Sequence, residues 1–159
     1  MSGFTLFHVM LSLLTIVSGL AVVYSFLTVR RYDGWTFVFL LTTIATLVTG
    51  FLFPFHGFTP AIGVGIVCVA IVIPVVLARY AFRMAGLWRS VFIVGSLLLL
   101  YFNCLVLIVQ SFQKVPALNA LAPTGSEPPI VIAQSALLLI FLIVGFLSLR
   151  RFRPLIAGF

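Results

Sequence analysis

Five apolar runs, each about as long as a bilayer-crossing helix, leave this chain little alternative to a bundle of membrane helices. They fall at about residues 4–27, 35–53, 60–80, 87–112 and 130–149. The hydrocarbon core offers no water to backbone N–H and C=O groups, so a spanning segment must satisfy its own, and runs of this length do so as α-helices. Hydrophobic residues make up 64% of the chain and charged residues 7%, whereas a soluble domain carries roughly 25% charged residues. A soluble core is excluded on that ground. The five runs occupy most of the 159 residues, so the expected architecture is all-α, a single membrane domain over residues 1–159 with no extramembrane domain.

Charge gives the bundle a direction. Arg30 and Arg31 follow the first run, Arg79, Arg83 and Arg89 lie between the third and fourth, and Arg150, Arg151 and Arg153 follow the fifth. With alternating spans all eight lie on one side, and Lys114 alone lies opposite. Lys and Arg excess in short loops marks the cytoplasmic face, so the N-terminus is expected outside and the C-terminus in the cytoplasm. The net charge of +7 is spread over helix ends, where it meets lipid headgroups and not nucleic acid. No Lys or Arg precedes the first run, which is expected to remain as a helix and not to act as a cleaved leader.

Local signals mark the helix ends. Asp33 is expected to cap the second helix, Thr59-Pro60 to open the third, and Ser126 or Glu127 before Pro128-Pro129 to open the fifth. Pro74 is expected to kink the third helix, and Gln113–Pro129 reads as the longest loop.

Polar residues recur at helical spacing inside the runs. Thr5, His8, Ser12, Thr15 and Gly19 follow steps of three and four along one face of the first span. Ser96, Asn103 and Gln110 are seven apart in the fourth, and the second carries Thr42, Thr43, Thr46 and Thr49. Small and hydroxyl residues of this kind let helices approach closely and hydrogen-bond across the seam. His8, Asn103, Gln110 and Gln134 are larger, and large polar groups in hydrocarbon mark sites when packing does not account for them. His8 lies about 6 Å below the outer end of its helix at 1.5 Å per residue. Together with His56 in the outer loop, the polar inventory gathers in the outer half.

Two chemistries fit that inventory. His8 and His56 can serve as the axial ligands of a b-type haem. Tyr101, Asn103, Gln110 and Gln134, with His8, can hold the polar head of a quinone or similar small ligand. Cys68 and Cys104 lie at matching depths in adjacent spans, but there is no Cys-x-x-Cys spacing, and neither a metal site nor a disulfide framework is indicated. Both acids, Asp33 and Glu127, fall at interfaces, which disfavours an ion-coupled small-solute transporter, the third reading. No nucleophile motif or carboxylate pair is present, so a catalytic role lacks support.

The stretch Thr42 to Phe55, taken with Ala120 to Pro129, resembles small multi-pass bacterial inner-membrane proteins to which no activity is assigned. The resemblance implies a bacterial inner-membrane location. The expected role is that of a non-catalytic accessory, assembly or stabilising component, packing against itself or other membrane subunits in the bilayer. A redox subunit holding haem b or quinone is the alternative.

Overall fold

The computed structural model describes residues 3–30, 32–54, 57 and 59–152. Helices account for 84% of the described residues, and no strand occurs among them. The elements are α1 (Gly3–Thr28), α2 (Asp33–Phe51), α3 (Pro60–Val76) running into a π turn (Leu77–Ala81), α4 (Leu87–Lys114), a single-turn α5 (Pro116–Asn119) and α6 (Pro128–Arg151). Five of them, counting α3 with its π turn as one, are long and apolar enough to cross a membrane. The chain is therefore an all-α integral membrane bundle.

Packing follows chain order and then departs from it. Neighbours α1 and α2, α2 and α3, and α3 and α4 pack together, and α4 closes the ring against α1. Helix α6 lies against both α4 and α1. The core holds Val22 and Phe26 from α1, Phe39 and Leu40 from α2, Val75 from α3, and Ile93, Leu97 and Leu100 from α4. Glycines mark the closest approaches. A Cβ on Gly19 would stand 2.6 Å from Leu100 Cδ1 and 2.9 Å from Phe39 Cε2, and one on Gly95 would stand 2.2 Å from Val75 Cγ2.

The arginine-bearing ends of the helices are tied together by side chains. Arg79 pairs with Asp33, joining the π turn to the start of α2. Arg89 donates to the carbonyls of Leu149 at 3.1 Å and Phe152 at 2.5 Å, supplying donors to carbonyls that the end of α6 leaves without an intrahelical partner. The Phe152 ring meets Phe26 at 4.9 Å, and Phe26 in turn meets Phe92 at 5.7 Å.

One local expectation needs correction. Asp33 does not cap α2: it is the first residue of the helix, Tyr32 occupies the cap position, and the Asp33 carboxylate is engaged by Arg79. Glu127 sits at the α6 cap position as expected, with its side chain turned back into the preceding loop. There Oε1 accepts from the backbone N–H of Thr124 at 2.9 Å and from its hydroxyl at 2.8 Å, and Oε2 accepts from Ser126 N–H at 3.0 Å. These donors, the Thr124 backbone N–H foremost, hold the Glu127 pKa down to about 2. Helix α3 continues through Pro74, and the π turn begins three residues later at Leu77. The Thr59-Pro60 expectation stands, with Thr59 Oγ1 accepting from Ile62 N–H at 3.3 Å. The loop from Gln113 is shorter than expected, because α4 reaches Lys114 and α5 follows.

Because Val75 is fully buried, a methyl group on Gly95 has no free volume to enter, and overpacking of this kind costs roughly 1–3 kcal/mol. Gly95→Ala should lower the midpoint of thermal unfolding in detergent, followed by circular dichroism. Gly34→Ala, whose Cβ would meet nothing within 4 Å, should not lower it.

Candidate functional site

The polar face of α1 does not look into a cavity. It is laid against α2 and α4. Ser12 donates to Asn103 Oδ1 at 2.7 Å, Thr15 Oγ1 lies 3.3 Å from Thr46 Oγ1, and His8 Nδ1 lies 2.8 Å from Thr49 Oγ1. All three contacts fall in the half of the bundle away from the arginines, where the sequence placed the polar inventory.

Hydroxyl geometry gives one self-consistent direction to these bonds. Thr49 has one hydroxyl proton, and its oxygen lies 2.8 Å from the Ala45 carbonyl one turn back. With the proton directed there, His8 Nδ1–H must be the donor to Thr49, which leaves the imidazole lone pair on Nε2. Thr15 likewise donates to Leu11 O at 2.9 Å, so Thr46 donates to Thr15. The His8 ring is held further by Phe53, edge-on at 5.2 Å, and Phe53 meets Phe4 at 5.0 Å.

The remaining candidates lie elsewhere. Tyr101 belongs to an aromatic group with Phe102 at 5.4 Å and Phe141 of α6 at 5.6 Å. Gln134 lines a cleft of about 210 Å³ with Gln113, Asn119 and Thr124, between the end of α4, α5 and the start of α6. Asn119 is already engaged, donating to Phe112 O at 3.2 Å. Gln110 has its Oε1 buried without a partner, as are the hydroxyls of Ser96 and Ser148. His56 lies outside the described residues. Both cysteines are free thiols, Cys68 buried and Cys104 half-buried. Among the described residues no group of three or more His, Cys, Asp or Glu side chains is gathered as a metal site would require.

The structure thus brings His8 together with Thr49, and Asn103 with Ser12. Tyr101 and Gln134 it places in two other settings. Arg89 was not singled out by the sequence, yet it fastens α6 to α4. A signal for it existed: the last carbonyls of every helix require donors, and an arginine at the start of an adjacent antiparallel helix is placed to supply them.

If Ser12 and Asn103 act as a packing pair, they should couple energetically. A double-mutant cycle of Ser12→Ala and Asn103→Ala, read from unfolding in detergent, should give a coupling of about 1 kcal/mol, the scale of interhelical bonds in membranes. Additive losses would mean that the bond adds nothing to the fold.

Comparison with family models, curated proteins and solved structures yields no match to this chain.

Proposed function

We propose that the chain is a non-catalytic accessory or stabilising component of a bacterial inner-membrane assembly, with its N-terminus outside and its C-terminus cytoplasmic, and that α6 is the helix it offers to its partner. The observation that carries this reading is how loosely α6 is held. Of its 24 residues only Ile130 near the start and Ser148 near the end are buried, and 6% of its apolar window is buried against 39% for α4. Ile132, Leu139, Ile143 and Phe146 are all more than half exposed, and steps of seven, four and three place them on one stripe. His8 of α1 and Asn103 of α4, meanwhile, are bonded to neighbouring helices within the chain, which is what a scaffolding role asks of them. The partner is a second copy or a larger membrane subunit.

Cysteine cross-linking tests it. With Cys68 and Cys104 replaced by serine or alanine, single cysteines at Leu139 and Ile143 should form a disulfide-linked dimer or an adduct with another subunit in native membranes. A cysteine at Val67, on a different face, should not. Monomer alone at both α6 positions would leave that stripe facing lipid and end the proposal.

A second reading keeps one specific observation, the His8 ring orientation. An imidazole whose Nδ1–H is fixed by a hydroxyl and whose Nε2 bears the lone pair is set up as iron ligands usually are. A b-type haem held by His8 and His56 should give a dithionite-reduced visible band in purified protein that is lost in His8→Ala and in His56→Ala. Folded, colourless protein would dispose of this reading.

A further inference from the structure

We propose that the surface groove between α3 and α4 holds one acyl chain of an anionic phospholipid, whose headgroup is bound by Arg83 beside the stacked rings of Phe82 and Trp88. The groove has a volume of about 360 Å³ and is lined by Val67, Ala70, Pro74, Val91, Val94 and Leu98, with Gly95 and Val75 at its floor. No polar side chain borders it. Its origin is steric: without a Cβ on Gly95 the two helices close on Val75, while the rims at Val67, Val94 and Leu98 remain 38–45% exposed. Along α3, from Val67 to Val75, it runs about 12 Å at 1.5 Å per residue. That is most of the roughly 15 Å that one leaflet contributes to the hydrocarbon core. A shallow apolar channel of leaflet length fits a lipid tail.

The end of the groove is not apolar. Trp88 precedes Val91 by one helical turn and so continues the same face. Its ring stacks on Phe82 at 4.0 Å and 8°, forming an aromatic floor at the arginine end, the level at which Trp rings sit in bilayers. Between them the chain makes a turn with two consecutive left-handed residues, Arg83 at φ 48° and Met84 at φ 58°. That conformation costs a residue with a side chain of the order of 1 kcal/mol. Met84 N–H bonds Ala78 O at 2.7 Å, and Met84 is 5% exposed, so the turn buries Met84 and leaves Arg83 outside.

Charge balance selects an anionic occupant. The chain has two acids against nine Lys and Arg. Asp33 is paired with Arg79, and Glu127 is bound within its own loop by Thr124 and Ser126. No carboxylate side chain is left for Arg83. An anionic headgroup would supply the counter-charge at this exposed arginine, which lies in the turn joining the two helices that form the groove, and an apolar tail would follow the groove itself. The site lies on a different face from α6 and does not depend on the function proposed above.

The test is native mass spectrometry of the full chain in neutral detergent, supplied with phosphatidylglycerol or with phosphatidylcholine of the same acyl chains. Wild type should retain the anionic lipid about fivefold better, the order expected for one cationic contact at a lipid surface. Arg83→Asn removes the charge while tolerating the left-handed backbone, and it should abolish the preference. Arg83→Lys should keep it. Ala70→Phe, which fills the groove from an exposed position, should reduce retention of both lipids, and where that variant is not monodisperse Arg83→Asn decides alone. Equal retention of the two lipids by wild type, or a preference that survives Arg83→Asn, would overturn the proposal. So would a wild-type dimer that Ala70→Phe dissociates, since a second copy would then occupy the groove.

Discussion

Hydrocarbon satisfies no polar group, and that constraint accounts for most of what the side chains of this bundle do. Hydroxyls bend back to their own helix: Ser18 to Leu14, Thr42 to Val38, Thr43 to Phe39 and Ser111 to Leu107 all donate to the carbonyl one turn earlier. Once its proton is placed in this way, a hydroxyl oxygen can only accept, and Thr15 and Thr49 accept from across the seam. The same residues that let helices approach also determine which partner must donate.

Charge is governed by the same rule at the two ends. Of the arginines, Arg79 and Arg89 are consumed by the fold, one on Asp33 and one on the last carbonyls of α6. Arg150 lies over the Phe146 ring at 4.2 Å, an attraction of modest size at an exposed site. Exposed ion pairs add little stability, so the Arg79–Asp33 pair serves mainly to fix where the π turn meets α2. Its larger consequence is to remove one of the chain's two acids from the charge balance, which leaves the exposed Arg83 without an internal partner.

The helices and their count were legible because hydropathy and length are read directly from residue types, and a membrane admits few other structures. The Thr59-Pro60 cap was equally local, and it was found where expected. Failures arose where a side chain had a choice. Asp33 carries the residue type of a cap, but an arginine forty-six positions away claimed it. Glu127 took the expected cap position, with its carboxylate bonded to donors in its own loop. Periodicity correctly gathered His8, Ser12 and Thr15 on one face, yet could not tell whether that face met a ligand or another helix. Tyr101 and Asn103 show the limit most clearly, because two residues apart on a helix point about 200° apart. One meets Phe141 of α6 and the other meets Ser12 of α1.

The two outward features of the bundle differ in kind, and geometry accounts for the difference. Along α6 the exposed residues are large and project outward, giving a ridge that another helix can pack against through its own grooves. Between α3 and α4 a glycine and a proline withdraw side chains from the surface, giving a shallow apolar channel. A ridge suits a protein and a channel suits a chain. Both faces end in arginine and aromatic side chains, Arg83 with the Phe82–Trp88 stack at one and Arg150 over Phe146 at the other, so it is shape, channel against ridge, on which the two proposals differ.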